Sequence, residues 1–459
     1  MYFLAIDVGS SYIKSVLLNM DERLIVEEVR QATPSKKASP NPKVFEIPMR
    51  DIYETVEDII AGYCTRYPNV EGVLFSTQMH GCVYSDPAYG EDIYLSWQDT
   101  RCLDEKPGTD LSYMEYLRTL FPAERMQSTG VEIKPALALC NLYVLLEERN
   151  FQISSDATLY TLGSYLIAGL TGRNICHIQN AAPMGMVNIE KAVWRDDILQ
   201  EAGMGAITMP EIVTGFESCG TGHVAGTSFA VYPDFGDQQM SVLGCFAEAG
   251  DMVLNIATGA QVILLQQGFR LGKHEIRPFF EDTYCNVVSR MPAGRNLDVF
   301  MEFFREIAEK VSGITFTRDE VWSRIQEFMT LKDSQGLQAN ISTYELPHQL
   351  ADGGISHITH YNLTLENTLS ALLQDMGRVY ARYIGELCGE EGLKGRLIFS
   401  GGAALNTPAI MRAIEREIAM VSEPAPLKNE VHAGMFRAAQ LCTGRCKSLR
   451  ETSERKLLL

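Results

Sequence analysis

The sequence predicts an α/β fold in two related halves with a ligand between them, and three observations carry this. First, the apolar run Leu4-Ala5-Ile6 ends in Asp7, a Gly9-Ser10-Ser11 turn follows Val8, and a second apolar run climbs to Leu18. This reads as a strand, a tight turn and an antiparallel strand. Second, the pattern returns about half a chain later, where Met252 to Ile256 runs into Ala257-Thr258-Gly259 and Ala260 to Leu265 leaves it. Such a recurrence marks a duplicated unit. Third, Met49, Ile52, Val56, Ile59 and Ile60 recur at helical spacing, so a helix lays one face on a sheet.

Taken in order, each element offers some chemistry. Gly9 permits positive φ and lets backbone approach a ligand closely. Ser10 and Ser11 bring hydroxyls and N–H groups that suit phosphate oxygens. Asp7 is a hard oxygen ligand placed to hold Mg²⁺ directly or through water. Leu24 to Val29 is a third strand, and residues 33 to 42, rich in Pro, Ser and Lys, form an exposed loop. The strand Val70 to Phe75 runs into Ser76-Thr77-Gln78-Met79-His80-Gly81. Ligands of α/β sheets sit where strands end, so Gln78, Met79 and His80 are candidates for a sugar site. Another short strand, Ile93 to Trp97, leads to Gln98-Asp99-Thr100-Arg101. An aromatic face covers sugar C–H surface, and flanking charges hydrogen-bond hydroxyls; Trp97, Asp99 and Arg101 fit that pattern. Asn180, in the small polar segment Gln179 to Ala182, reaches toward the same cleft. Gly236 suits a tight turn with Asp237 at its tip as a proton acceptor, and Gln239 is placed to orient it.

Residues 244 to 250 are small and acidic and read as a hinge, giving domains 1–243 and 244–459. Amphipathic helices are predicted over 296–311, 318–329 and, longest, 365–388. Arg396 to Ser400 is a strand, and the side-chain-poor Gly401-Gly402-Ala403 that follows leaves room for a flat adenine ring, with Asn406 close behind. Thr407 then stands as N-cap and Pro408 as first residue of a helix. Singly, each motif also has an ordinary reading: a hairpin with a polar tip, a common Gly-Asp-Gln turn, a structural Gly-Gly pair.

Composition narrows the class. Of 459 residues, 46% are hydrophobic and 21% charged, the balance of a soluble globular protein with large cores. A net charge of −18 argues against non-specific binding to nucleic acid or an anionic membrane. The eleven cysteines form no Cys-x-x-Cys, so free thiols in a reducing cytoplasm are expected. Asp7 interrupts the N-terminal apolar run, which reads against a signal peptide. No stretch of ~18 uncharged apolar residues predicts a membrane span.

In this order, the motifs resemble the FGGY carbohydrate kinases, in the superfamily of glycerol kinase, hexokinase and actin, and the resemblance covers essentially the whole chain. Asp7 to Lys14 corresponds to the first phosphate motif, Asn255 to Gln261 to the second, and Gly401 to Asn406 to the adenosine motif. Asp237 falls on the catalytic base. Gln78 to Gly81 and Trp97 to Arg101 match the sugar-binding segments of the ketose kinases. The resemblance implies two RNase H-like (actin/hexokinase-like ATPase) α/β domains with a central cleft, sugar mainly on the first and nucleotide mainly on the second. Gly9, Ser10, Ser11, Lys14, Thr258, Gly259, Gly401, Gly402, Ala403 and Asn406 are then nucleotide contacts, and Asp7 holds the metal. The implied reaction is ATP-dependent, Mg²⁺-assisted phosphorylation of the terminal hydroxyl of a ketose. Sedoheptulose is favoured, with xylulose or another pentulose as the alternative, and a catalytically inactive sugar sensor as the remaining reading. Partners are the ketose and ATP, with no nucleic acid and no membrane, in a monomer or homodimer. Two departures stand out: Thr100 occupies a position where glycine is common, and Met435 and Phe436 make the closing helix bulkier near the adenosine motif.

Overall fold

A computed structural model describes residues 1–344, 351–427, 429–454 and 456–457. The expected duplication is visible in two six-stranded sheets. The first contains β1 (Tyr2–Val8), β2 (Tyr12–Asn19), β3 (Leu24–Ala32), β4 (Val70–Thr77), β5 (Gly220–Val224) and β6 (Thr227–Gly236), in the order β5-β6-β4-β1-β2-β3. The second contains β7 (Met252–Ile256), β8 (Ala260–Gln267), β9 (Glu275–Pro278), β10 (Thr283–Met291), β11 (Leu397–Ser400) and β12 (Glu423–Pro424), in the order β9-β10-β8-β7-β11-β12. In each sheet the opening strand pairs antiparallel with its successor, Asp7 opposite Lys14 and Asn255 opposite Gln261, and parallel with a later strand, β4 or β11. The edges differ: β9 lies beyond β10 with no counterpart beside β3, and β5 lies beyond β6 with no counterpart beside β12.

The helices follow the apolar spacing. α1 (Met49–Arg66) buries Met49, Ile52, Val56, Ile59 and Ile60, as expected, and also Tyr63 and Cys64. Each large apolar side chain so buried contributes roughly 1.5–3 kcal/mol relative to exposure. One junction differs from the sequence reading. Asp237 is not at the tip of a tight turn; β6 runs through Gly236 straight into α2 (Asp237–Gly244), of which Asp237 is the first residue. An acidic residue there is favoured by the helix dipole, and the run Met240, Val242 and Leu243 that follows is fully buried. Beyond it lie α3 (Gly294–Ser312), α4 (Leu365–Cys388), α5 (Gly402–Asn406) and α6 (Glu430–Cys442). All eleven cysteines are free thiols. Among the described residues no helix is long and apolar enough to cross a membrane.

α2 and α6 cross backbone against backbone. A Cβ added at Gly244 would lie 1.7 Å from the Glu430 carbonyl oxygen, and one at Gly434 would lie 1.9 Å from that of Met240. Met435 and Phe436, the bulky departures of the closing helix, turn instead into a core shared with Phe3, Leu74, Val253 and Ile398. Their size therefore fills the interior between the two sheets and leaves the crossing to glycine. Gly434→Ala must move a helix rather than a side chain, and is expected to cost about 1–3 kcal/mol or more. Thermal or denaturant unfolding checks this; a variant as stable as the parent would contradict so close a crossing.

Candidate functional site

The first phosphate-type turn is built on β1 and β2. Asp7 is buried; Ser76 Oγ donates to its Oδ1 at 2.9 Å and Lys14 Nζ stands 4.0 Å from Oδ2. Burial pushes the Asp7 carboxyl above its ordinary range, against the pull of Ser76 and Lys14. Gly9 is not in a left-handed conformation, contrary to the sequence reading. Its place is set by a close approach, because a Cβ there would lie 3.0 Å from the Tyr12 carbonyl oxygen. Thr33, just past β3, ties the turn back: its Oγ1 donates to Gly9 O at 2.8 Å and its N–H to Ser11 O at 3.1 Å. Ser10 is half-buried and Ser11 exposed.

The second turn is open. Thr258 and Gly259 are exposed, and a Cβ at Gly259 would meet nothing within 4 Å. α3 starts against this turn, with Gly294 N–H donating to Ala257 O at 3.1 Å and Arg295 N–H to Thr258 O at 3.2 Å. A Cβ at Gly294 would lie 2.9 Å from Ala257 O and 3.6 Å from Ala403 Cβ, so the adenosine-type segment lies at the same place. Gly401 does need its glycine: φ is +85°, and a Cβ would lie 2.5 Å from Ile256 O. Gly402 and Asn406 are exposed and Ala403 half-buried. Thr407 holds the N-cap position before Pro408 but makes no side-chain cap; its Oγ1 accepts from Gln326 Nε2 at 3.2 Å instead. Gly294 and Arg295 were not read from the sequence.

Between the turns stands Asp237. Burial, and after it the charge of Asp7, push its carboxyl up to about 7, opposed by the Gln238 N–H and the charge of Arg277. Gln238 Nε2 donates to Gln261 Oε1 of the second turn. Two carboxylates, each raised by burial and one raised by the other, make a place where a cation is favoured. Among the described residues no cluster of three His, Cys, Asp or Glu could hold a metal ion alone. A Mg²⁺ ion near Asp7 would therefore complete its shell with phosphate and water oxygens, as this ion commonly does.

Gln78, Met79 and His80 follow β4 and lie beside Asp237. Gln78 is buried with neither amide atom partnered. A Cβ at Gly236 would lie 3.0 Å from Met79 Sδ. His80 has φ +71° and its Nδ1 is 3.1 Å from Pro183 O. A carbonyl only accepts, so Nδ1 carries the proton and Nε2 is an acceptor in the neutral ring. Burial, with the charges of Lys134 and Arg277, holds the ring's pKa well below its usual value. Asn180 is oriented from below. Its Nδ2 donates to Thr77 Oγ1, Asp234 O and Asp234 Oδ2, each at 3.0 Å, leaving Oδ1 buried without a partner. Gln239 Nε2 likewise donates to Pro278 O at 3.1 Å and leaves Oε1 unpartnered. The pocket therefore presents acceptors whose orientation is fixed by the backbone carbonyls of Pro183, Asp234 and Pro278, which can only accept, together with the Gln78 amide.

The 97–101 loop departs from the sequence reading. Asp99 and Arg101 were expected to face a sugar; instead both are buried, 0% and 2% exposed, and spent on one another. Arg101 Nη2 donates to Asp99 Oδ2 at 2.7 Å and to Glu46 Oε1 at 2.6 Å, while Phe45 N–H donates to Asp99 Oδ2 at 2.7 Å. Two opposite charges two residues apart satisfy each other more readily inside than an unpaired charge could. They fasten the loop, and the neighbouring Trp97 is left 39% exposed.

The sequence reading missed four residues of the pocket. The Tyr94 hydroxyl is buried beside Gly81, where a Cβ would lie 2.5 Å from it. Lys134 pairs with Glu275, whose other oxygen accepts from Arg277 Nη2 at 2.6 Å; Arg277 Nη1 donates to Gln238 Oε1 at 2.6 Å. The signal for the β9 pair was the alternation Glu275-Ile276-Arg277, charges at period two inside an apolar strand.

Comparison with known proteins agrees with this geometry. Residues 2–244 match the N-terminal domain of the FGGY family of carbohydrate kinases. Mouse (Mus musculus) sedoheptulokinase is 23% identical over 458 residues, spanning 90% of this chain and 92% of that protein. In fold, a xylulose kinase from Lactobacillus acidophilus superposes with a TM-score of 0.82 at 14% identity over 99% of this chain and 92% of the other. A gluconate kinase from the same organism reaches 0.83 at 15% identity with the same coverage.

Proposed function

Because the chain belongs to the FGGY family of carbohydrate kinases, an ATP-using group of phosphotransferases, we propose that it phosphorylates the terminal hydroxyl of a ketose, sedoheptulose in preference to a pentulose. The observation that carries the sugar assignment is the set of fixed acceptors. Asn180 Oδ1 and Gln239 Oε1 are buried without a partner and need a hydrogen, and His80 Nε2 and the Asp237 carboxylate are further acceptors beside them. A neutral polyol supplies one from every hydroxyl. A sugar acid also brings hydroxyls, but its carboxylate supplies no hydrogen, so a neutral ketose is favoured over gluconate. The preference for a seven-carbon ketose rests on the sedoheptulokinase likeness.

In this reading residues 1–243 hold the sugar and 244–459 the nucleotide. Asp237 accepts the proton of the attacking hydroxyl. Gln78, His80, Asn180 and Gln239 position the sugar, Met79 and Trp97 offer apolar contact, and Asp99 and Arg101 hold the loop that carries Trp97. Gly9, Ser10, Ser11 and Lys14 face the transferred phosphoryl group from one side and Thr258 and Gly259 from the other. Gly401, Gly402, Ala403 and Asn406 receive the adenosine. Asp7 holds Mg²⁺, which, bound with ATP, offsets charge on the phosphate oxygens. Every position this chemistry requires is present, which favours an active kinase over a sugar sensor.

A panel of sedoheptulose, xylulose, ribulose, fructose, gluconate and glycerol, compared by kcat/KM, tests the proposal. Sedoheptulose is expected to lead and gluconate to be refused. A lead for a pentulose overturns the substrate; no turnover of any polyol overturns the activity.

A further inference from the structure

The pocket has a wall supplied by the other sheet. β9 is the extra edge strand of the second half, yet its residues bond to the first half at every step. Lys134 pairs with Glu275, Ile276 N–H donates to Gly130 O at 2.8 Å, Gln239 Nε2 reaches Pro278 O, and Gln179 Nε2 donates to Phe279 O at 2.7 Å. Arg277 stands in the middle of this seam and is 3% exposed. Its Nη1 is committed to Gln238, the neighbour of the base, and its Nη2 to Glu275. Its Nε–H is buried and has no partner. A buried guanidinium hydrogen left unbonded is costly, and a fork locked at two corners aims the third donor with little freedom.

We propose that Arg277 is a specificity-determining residue of the sugar site, its Nε–H donating to an acceptor oxygen of the ketose. The assignment rests on the ketose reading above. It explains the chain from Lys134 through Glu275: the ion pair holds the guanidinium in register, so that only Nε–H remains for the ligand. It also explains why the wall is borrowed from the nucleotide half, since a sugar contact made there exists only while the two halves are apposed, and sugar binding then favours apposition.

The test compares Arg277→Met and Arg277→Lys with the parent by steady-state kinetics and by calorimetric titration with the ketose. Loss of a charged hydrogen bond is expected to raise the ketose KM and Kd roughly 10–100-fold, with the MgATP KM within about threefold of the parent. Arg277→Lys keeps a cation beside Glu275 but has no forked third donor, so it is expected to rescue folding and not ketose affinity; should the Met variant fail to fold, the Lys variant decides. Ketose affinity unchanged in a folded variant, or restored in full by lysine, overturns the proposal. So does an equal rise in both KM values, which would assign Arg277 to holding the halves together. If the parent uses only a polyol that is not a ketose, the ketose reading falls by itself, and the same KM split, measured on that polyol, still decides Arg277.

Discussion

Asp237→Asn is expected to lower kcat by about 10²–10⁴-fold, the usual worth of a general base, while ketose affinity changes far less. Asparagine keeps the size of the side chain and an oxygen for the Gln238 N–H, which Asp237 Oδ1 now receives at 2.7 Å; what it loses is the ability to take a proton. Turnover within a few-fold of the parent would remove Asp237 from that role. The pH profile gives an independent check. Only the carboxylate can act as base, and burial together with Asp7 has pushed its pKa up to about 7. Falling pH therefore protonates Asp237 earlier than an ordinary aspartate, and kcat/KM should drop about tenfold per unit on the acid side. A cation beside Asp7 cancels that residue's repulsion, so the limb measured with Mg²⁺ present lies at or below about 7. A profile flat down to the ordinary carboxylate range would contradict the assignment.

Chelation of divalent ions is expected to abolish turnover, with recovery on adding Mg²⁺. The phosphates of ATP bring several negative charges into a cleft that already holds Asp7 and Asp237 on a chain of net charge −18. The cation of the first turn, Lys14, stands 4.0 Å from the Asp7 carboxylate and is already shared with it. Backbone N–H groups and one shared lysine leave the developing charge under-compensated, which is the gap a divalent ion fills in phosphoryl transfer. Asp7→Ala should accordingly depress kcat more than ketose binding. Full activity in excess chelator would overturn the metal assignment.

What the sequence made legible was local. The two turns declare themselves because a glycine and small polar residues between apolar runs can do little else, and the registers Asp7 to Lys14 and Asn255 to Gln261 bear this out. Asn180 and Gln239 are candidates by residue type alone, yet the property that singles them out, a buried amide oxygen left unpartnered, depends on Asp234 and Pro278, the second from the other half. Asp99 and Arg101 show the converse. Their types were read, but which side of the loop faces water is set by Glu46 and Phe45, more than fifty residues earlier. Lys134 and Glu275 lie 141 residues apart, and β9 has no repeat partner from which its place could be inferred. Asp237 was placed on a turn because Gly-Asp-Gln has turn chemistry; the buried run behind it, packed on α6, made that stretch a helix.

The crossing of Gly244 and Gly434 bears on how the protein could be divided. Asp237 is the first residue of an eight-residue helix, about 10 Å from its last, and that last residue is held against α6, where Arg437 Nη1 donates to Leu243 O. A fragment ending at 243 or 244 would carry Gln78, His80, Asn180 and Gln239 but neither Arg277 nor the surface that steadies Asp237. Expressed apart, the two pieces are expected to be inert, and mixing them should restore activity only as far as α2 finds α6. Covalently Asp237 belongs to the first half; mechanically it belongs to the second, so neither half of this duplicated chain is free to drift in sequence without the other.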